Sequence, residues 1–278
     1  MLGVISALLE QKGISLVAPV PLSRCHITRR YLLEREEILD GTAFMIAVPY
    51  YTTECDDPAR NISAYAVGAD YHVFFKQLFD ELLPLLRARF AQNRFAGFAD
   101  HSPIAEVDAA AKAGLGVRGC NHLLLTERYS SFVFLGEIIT DAVIDVPARE
   151  PKDCSRCGAC ERACPVALDS RECLSALSQC KGELTPKAEQ ALLRERVIWG
   201  CDQCQQACPV TLAAKKNGSI YSELRFFKDS AIPHLSPEAL SAMSEEEFAA
   251  RAYSWRGRAV IGRNLELAHS APERSKKQ

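Results

Sequence analysis

The chain has 278 residues, of which 48% are hydrophobic and 24% charged, and its formal net charge is −2. This composition excludes a disordered chain, a collagen-like chain and a strongly basic protein that coats nucleic acid. No apolar stretch reaches the roughly 18 residues of a membrane span. The opening segment lacks the basic start and cleavage site of a signal peptide, so we expect a cytoplasmic protein with no membrane partner.

The first half of the chain mixes strand and helix patterns. Apolar runs of strand length predict strands at 43–51, 122–126 and 131–139. A 3.6-residue apolar period predicts a helix from Asp70 to Phe90, which Pro84 kinks or splits. A second helix is predicted from Ser102, as its N-cap, to Gly114. Together these patterns predict an α+β fold.

A proline-rich, charged break at 145–153 separates this half from a cysteine-dense segment. Helix starts follow at Ser236-Pro237 and at Ser244, which forms a capping box with Glu247. We therefore predict three consecutive regions: a mixed α/β domain at 1–150, a ferredoxin-like domain at 151–216 and a short helical segment at 217–278.

The twelve cysteines are the unusual feature of the composition, because nine of them lie between 154 and 208. Such clustering does not fit the disulfide scaffold of a small secreted protein and favours a reducing compartment. The other three, Cys25, Cys55 and Cys120, are isolated in the chain. We interpret them as small buried hydrophobic residues.

The cysteine-dense segment contains two iron–sulfur motifs. Residues 154–165 read Cys-x2-Cys-x2-Cys-x3-Cys-Pro, and residues 201–209 read Cys-x2-Cys-x3-Cys-Pro. In two-cluster ferredoxins the fourth cysteine of the first motif binds the other cluster. This pairing predicts one [4Fe–4S] cluster on Cys154, Cys157, Cys160 and Cys208. It predicts a second cluster on Cys164, Cys201, Cys204 and either Cys173 or Cys180.

Zinc is the alternative metal for Cys-x2-Cys pairs, but three cysteines at successive x2 spacing followed by Cys-Pro are not typical of zinc ribbons. Two clusters indicate electron transfer. A ferredoxin needs only the cluster segment, so the preceding domain is expected to receive the electrons. That domain has neither a Gly-x-Gly-x-x-Gly motif nor a phosphate-binding loop, which argues against a dinucleotide site and an ATP-driven reductase.

Several segments in the same order resemble epoxyqueuosine reductase. They are SAYAVGADYH (63–72), ADHSPIAE (99–106), AGLGVRGCNHLLL (113–125), SSFVFLGEIITD (130–141), the double-cluster segment and SWRGRAVIGRN (254–264). The resemblance covers about 43 to 269. It implies a cobalamin-dependent iron–sulfur enzyme that reduces the epoxide of epoxyqueuosine, at the wobble position of certain tRNAs, to an alkene with loss of water.

The resemblance also implies roles for individual residues. Asp100 matches the proton donor of the family, and a carboxyl group buried beside a corrin would have a raised pKa that keeps it protonated near neutrality. Cys173 matches the remaining ligand of the second cluster, which leaves Cys180 as the spare cysteine. The cobalamin is expected to bind base-off, without a protein histidine below cobalt. Its implied contacts are Ser63, Asp100, Leu124, Ile138, Asp202 and Gln203.

Other residues have a functional and a structural interpretation. His72 on the predicted long helix is interpreted as structural, whereas His101 could tune the neighbouring Asp100. Four arginines could form a local basic patch for tRNA, or simply a solvated helix face: Arg251, Arg256, Arg258 and Arg263.

The expected partners are tRNA that contains epoxyqueuosine and an external electron donor. Family members continue into helical repeats after the SWRG segment, so this chain is expected to be a short member. Two alternatives stay open at this point: a related corrinoid reductase of a small molecule, and a ferredoxin-like electron carrier without catalytic activity.

Overall fold

The computed structural model describes residues 1–146 and 149–270. The strands are β1 Leu16–Pro21, β2 Thr42–Pro49, β3 Phe95–Phe98, β4 Val117–Arg118, β5 Leu124–Leu125 and β6 Val133–Thr140. The helices are α1 Leu2–Glu10, α2 Arg30–Arg35, α3 Tyr71–Arg89, α4 Glu106–Ala113, α5 Ala159–Ala163, α6 Leu174–Ser178, α7 Pro186–Glu195, α8 Gln203–Gln206, α9 Pro209–Lys216, α10 Arg225–Lys228, α11 Pro237–Ala242, α12 Glu245–Ala249 and α13 Arg258–Ser270. The predicted α+β class is confirmed. None of these helices is long and apolar enough to cross a membrane.

The main sheet has four antiparallel strands in the order β1-β2-β6-β3, and β4 pairs with β5 in a separate two-stranded ribbon. The three predicted strands correspond to β2, β5 and β6. Every residue of β2 is buried, which explains its continuous apolar sequence. The sequence did not predict β1, whose Pro19 and Pro21 are tolerated because β1 is an edge strand.

Helix α3 packs on the sheet through aromatic side chains that face glycines. A side chain at Gly136 on β6 would overlap the ring of Phe75, and one at Gly97 on β3 would overlap the ring of Phe79. Both rings are buried. Pro84 lies inside α3 without dividing it, so the predicted helix is a single element. The two glycines let α3 approach the backbone of the sheet closely.

Helix α4 begins three residues later than predicted, with Ala105 instead of Ser102 as its N-cap. Ser102 is buried, and its hydroxyl accepts a hydrogen bond from the N–H of Ile104 and contacts the carboxyl group of Glu137 on β6. The helix therefore begins at Glu106 instead of at the predicted Ser102 cap. Its end is as predicted, because Gly114 adopts the left-handed conformation with φ of 88°.

The chain divides into two compact units that interleave along the sequence. The first unit contains 1–51, 71–158 and 208–224, and the second contains 52–70, 159–207 and 225–278. Residues 147 and 148 of the break, and 271–278 of the last region, lie outside the described residues. The three consecutive regions predicted from the sequence stay a prediction, since the units follow compactness and not chain order.

The second unit is helical, and its predicted helix starts are present. Ser236 caps α11 by accepting from the N–H of Ala239. Ser244 and Glu247 form the predicted capping box of α12.

The predicted basic patch is not a free cationic surface. Arg251 is 4% exposed and donates to the carbonyl oxygens of Ser230 and Val67. Arg258 donates to the carbonyls of Leu240 and Met243, at 2.6 and 2.7 Å. Arg263 donates to the carbonyls of Cys180 and Gly182 in the same way. These three guanidinium groups satisfy backbone acceptors within the second unit, so Arg251, Arg258 and Arg263 have structural roles, and a role of Arg256 in binding phosphate stays a prediction.

We expect Gly136→Ala to destabilise the protein by about 1–3 kcal/mol, because the added methyl group overlaps the buried Phe75 ring. The matched control is Gly3→Ala in α1, where nothing lies within 4 Å of an added Cβ. This control should be neutral or up to about 1 kcal/mol more stable, since alanine favours helix. Urea unfolding measures both free energies, and equal effects of the two substitutions would contradict the packing argument.

Candidate active site and cluster ligands

Asp100 lies in the loop that connects β3 to α4, and its backbone is strained. Its φ is 63°, in the left-handed region that residues other than glycine seldom adopt. The N–H of Asp100 donates to Oε1 of Glu106, at 3.2 Å, in the first turn of α4. The hydrogen bond holds this conformation and presents the aspartate side chain, which is 66% exposed.

The electrostatics of Asp100 differ from the expectation. His72, in the first turn of α3, places Nε2 3.4 Å from Oδ2 of Asp100. This hydrogen bond, helped by the charges of His72, Arg29 and His101, outweighs partial burial and lowers the pKa of Asp100 below its ordinary value. The expected raised pKa is therefore wrong for this structure, because the side chain is exposed and has a histidine partner. His72, interpreted as structural, contacts the proposed acid directly.

The carboxyl groups with raised pKa lie behind Asp100. Burial, together with the charge of Asp100, raises the pKa of Glu106 to about 7. Glu137, on β6, is completely buried, and burial together with the charge of Glu106 raises its pKa well above the ordinary value. The two glutamates lie within hydrogen-bonding reach of each other. A buried carboxyl pair of this kind shares a proton, because two negative charges so close together repel.

A cleft of about 720 Å³ adjoins this pair in the first unit. It is lined mainly by polar and charged residues, among them Glu106, Asp108, Arg118, Cys120, His122, Asp153 and Arg156. Arg118 bridges Asp108 and Asp153, at 3.1 and 2.9 Å. Glu106 therefore has the buried Glu137 on one side and an open polar cleft on the other.

The second unit contains Cys160 and all four predicted ligands of the second cluster, Cys164, Cys173, Cys201 and Cys204. Helix α5, which precedes Cys164, packs against α8, which contains Cys204. Burial is the main cause that raises the pKa of Cys201 to about 11, and the charges of Cys173 and Cys164 contribute to that value. Thiolates that repel one another in this way fit a cationic iron core, which would stabilise all of them.

Both Cys-x2-Cys sequences fold into the same kind of turn. In each one the backbone N–H two residues later donates to the first cysteine: Arg156 to Cys154, and Gln203 to Cys201. At Cys154 burial opposes ionisation, but the hydrogen bonds of Arg156 and Cys120 prevail and lower the pKa. N–H groups directed at sulfur stabilise a thiolate, so both turns are suited to metal ligation.

The sequence indicated that Cys120 is an isolated hydrophobic residue, but in the structure it lies beside another cysteine. Its sulfur lies 3.6 Å from the sulfur of Cys154, because the strand β4 and residues 152–154 are joined by backbone hydrogen bonds. Cys55 is buried and Cys25 is partly buried against the core, and burial raises their pKa values to about 11 and about 12. Cys157 and Cys208, the remaining predicted ligands of the first cluster, lie in the first unit with Cys154.

Cys180 is exposed and its sulfur donates to the carbonyl of Ala176, at 3.6 Å. The thiols whose charges act on Cys201 are Cys164 and Cys173. Within the described residues, no three His, Cys, Asp or Glu side chains are close enough together to hold a single metal ion. In a cubane each cysteine binds a different iron, so its ligands lie farther apart than those of one ion.

Three of the predicted corrin contacts lie in the second unit, where Ser63 and Asp202 are close together. Asp202 Oδ2 accepts from the N–H of Ala64, at 2.7 Å, and from Arg60, at 2.8 Å. Gln203 follows at the first position of α8. The hydroxyl of Ser63 is buried and has no hydrogen-bond partner among the described residues. A polar ligand would supply that partner, so this position fits a corrin, whose side chains are amides.

The predicted contacts Leu124 and Ile138 lie in the first unit. Both side chains are buried, with exposures of 2% and 0%, and Leu124 packs in the hydrophobic core beside α4. Because both side chains are buried within the protein, any contact of Leu124 or Ile138 with a corrin would use backbone atoms. Asp100, which belongs to the same predicted set, is exposed in the loop after β3.

Two functional candidates, Glu106 and Glu137, were missed by the sequence analysis. Glu137 interrupts the apolar run SFVFLGEII, and an acidic residue in a buried strand is a recognisable signal. Glu106 resembles an ordinary acidic residue in the first turn of a helix. Its partner is 31 positions away in the sequence, so the pair becomes evident only in the folded chain.

Comparison with known proteins yields one family. No family profile matches the sequence. The chain is 33% identical over 227 residues to the epoxyqueuosine reductase of Gloeobacter violaceus, covering 77% of this chain and 70% of that protein. It is 36% identical over 199 residues to that of Pseudomonas aeruginosa, covering 68% of this chain and 54% of that protein.

Solved structures show the same fold. Epoxyqueuosine reductase from Streptococcus thermophilus superposes with a TM-score of 0.78 at 24% identity, covering 96% of this chain and 80% of that one. An epoxyqueuosine reductase with an epoxyqueuosine-modified tRNA stem loop gives a TM-score of 0.73 at 24% identity, covering 96% and 81%. The chain spans about half the length of the first curated relatives that it matches. By its sequence similarity, this chain belongs to the epoxyqueuosine reductase family.

Proposed function

We propose that the protein reduces epoxyqueuosine in tRNA to queuosine, with base-off cobalamin and two [4Fe–4S] clusters as cofactors. The relatives and the solved neighbours are named for this activity. The observation that carries the redox part of the proposal is the repeated turn in which a backbone N–H donates to the first cysteine of a Cys-x2-Cys sequence.

The cysteines assigned to the clusters are Cys154, Cys157, Cys160 and Cys208 for the first, and Cys164, Cys173, Cys201 and Cys204 for the second. The corrin would be held by Ser63, Asp100, Leu124, Ile138, Asp202 and Gln203. When bound, the clusters and the reduced corrin supply the two electrons that open and remove the epoxide. The electrons come from an external donor.

The protein's own contribution to the chemistry is a proton delivered by Asp100. Loss of the epoxide oxygen as water requires protons, and the carboxyl group of Asp100 is directed outward by the strained loop. His72 donates to the Asp100 carboxylate and stabilises its ionised form after the proton has left. Because the pKa of Asp100 is low, the acid is ionised at neutral pH in the resting protein, so catalysis requires that a proton be returned to it.

An exposed aromatic residue is a candidate contact for RNA. Trp255 is 55% exposed, and the guanidinium of Arg256 lies 3.7 Å from the centre of its ring. Nucleotide bases stack on such surfaces. Since a solved neighbour contains a modified tRNA stem loop, we assign Trp255 a role in binding the substrate RNA.

The activity is tested by reconstituting the chain anaerobically with iron, sulfide and cobalamin, and adding a chemical reductant and epoxyqueuosine-containing tRNA. Mass spectrometry of the digested tRNA should show queuosine. Metal analysis should give about eight iron and one cobalt per chain, on the basis of about four iron per cubane. Eight iron without cobalt would instead indicate an electron carrier, and bound cobalt without turnover of this tRNA would indicate another substrate.

Cys173→Ser should remove one cluster, because serine does not replace the thiolate on iron. The iron content should fall by about half, from about eight to about four per chain. Cys180→Ser is the matched control and should leave the iron content unchanged, since the Cys180 thiol is exposed and bonded to its own helix. The reverse result would make Cys180 the ligand.

Asp100→Asn should lower the rate of epoxide reduction by at least about 100-fold, because an amide has no acidic proton to give. The visible spectra of the bound corrin and clusters should stay the same, because asparagine has nearly the same size and shape as aspartate. Stopped-flow measurement of a single turnover gives the rate. A variant with the wild-type rate would remove Asp100 from the mechanism.

Trp255→Ala should weaken binding of the epoxyqueuosine-containing stem loop about fivefold or more, since loss of base stacking costs about 1–3 kcal/mol. Leu212→Ala is the control: its side chain has the same 55% exposure but no aromatic face. Fluorescence anisotropy with a labelled RNA measures both affinities. Equal affinities in the two variants would show that Trp255 does not contact the RNA.

A further inference from the structure

We infer that Glu106 and Glu137 form a proton-holding pair that returns a proton to Asp100 for each reduction. This inference rests on the proposed function, because it concerns the proton that the reduction consumes. The pair itself, however, is a property of the folded chain and can be tested without turnover.

The geometry of Glu137 requires a proton at this position. Its side chain is completely buried in the middle of the sheet, where one oxygen contacts the hydroxyl of Ser102. The other oxygen, Oε2, is buried and no donor among the described residues reaches it. Two carboxylate groups can only accept, so the contact between Glu137 and Glu106 becomes favourable when one proton lies between them.

Glu106 connects this buried position with Asp100 and with solvent. Its Oε1 accepts the N–H of Asp100, at 3.2 Å, and its side chain lines the polar cleft. The Asp100 charge raises the pKa of Glu106, which places the two carboxyl groups within electrostatic reach of each other. Glu106 can therefore exchange a proton with Asp100 on one side and with water in the cleft on the other.

The proton balance follows from these contacts. At rest Asp100 is ionised and the pair holds the proton. For each reduction the pair gives its proton to Asp100, which leaves two adjacent carboxylates at Glu106 and Glu137, and Asp100 passes that proton to the departing oxygen and is again a carboxylate. The second proton, which completes the water molecule, comes from solvent. Their repulsion in a buried position favours uptake of a new proton from the cleft, which restores the resting state. No electrons move in these steps.

The other charges around the pair determine its dependence on pH. Asp100 favours the protonated form of Glu106, whereas Arg29, which donates to the carbonyl of Ser102, favours the ionised form. His72 and His101 act on Asp100 and not on the pair. Because burial is the largest cause at both residues, Glu106 should ionise as pH rises through about 7, whereas Glu137, whose pKa is raised well above its ordinary value, should keep its proton.

The stability of the fold should depend on pH for the same reason. A carboxyl group whose pKa is raised by folding stabilises the native state at low pH, and that contribution is lost as pH rises from the unfolded pKa to the folded one. The melting temperature of the wild-type protein should therefore fall between about pH 5 and about pH 8. A Glu106→Gln, Glu137→Gln double variant should show a smaller fall.

The direct test is infrared spectroscopy of the reconstituted protein as a function of pH, with and without carboxyl-labelled glutamate. The wild-type protein should show a protonated glutamate carbonyl band that weakens near neutrality as Glu106 ionises, persists above neutrality because Glu137 keeps its proton, and shifts on labelling. The double variant should lack it. Glu127→Gln, which changes an exposed glutamate, should leave it unchanged. Absence of the band in the wild-type protein, or its persistence in the double variant, would overturn the inference.

Single-turnover kinetics separates proton return from positioning. Glu106→Gln keeps an oxygen that accepts the Asp100 N–H but cannot hold the proton, so the rate at neutral pH should fall at least about tenfold and follow the lower pKa of Asp100. Glu106→Asp should restore part of the rate. A Glu106→Gln variant with the wild-type pH profile would contradict proton return. If the wild-type enzyme does not reduce epoxyqueuosine at all, the proposed function fails, and the infrared titration still decides whether the pair holds the proton.

Discussion

The close approach of α3 to the sheet is the constraint on which the geometry around Asp100 depends. Phe75 and Phe79 pack directly over Gly136 and Gly97, where any side chain would separate helix and sheet. This packing fixes the start of α3, which contains His72, relative to the end of β3, which leads to Asp100. The 3.4 Å contact between His72 and Asp100 therefore depends on Gly136 on β6 and Gly97 on the edge strand β3, which allow this packing.

The chain contains two groups of ionisable side chains that repel one another when they are charged. The thiols of Cys164, Cys173 and Cys201 oppose one another's ionisation, and a cationic cluster would remove that cost. The carboxyl groups of Glu106 and Glu137 oppose one another in the same way, but a single proton removes the cost. A bound cluster would relieve the repulsion between the thiols in the second unit, and a shared proton would relieve the repulsion between the carboxyl groups in the first unit.

The sequence predicted the parts of the fold that depend on local patterns. Strands β2 and β6, the long helix α3 and the caps at Ser236 and Ser244 were all visible in the apolar period or in the cap residues. It failed where a distant residue overrides a local preference. Ser102 does not cap α4, because its hydroxyl donates a hydrogen bond to Glu137 instead. The arginines of the last helices bind backbone carbonyls that no local pattern reveals.

The surroundings of Asp100, the proposed acid, were also not predictable from local sequence patterns. Sequence and resemblance identified Asp100, and the expectation of burial followed from the need for a protonated acid at neutral pH. In the structure Asp100 is instead exposed beside a histidine that lowers its pKa, so the proposed acid is ionised at neutral pH. Burial and high proton affinity are instead found at Glu106 and Glu137, one hydrogen bond behind the loop. Separating the group that stores the proton from the group that delivers it allows each to have the environment its task requires.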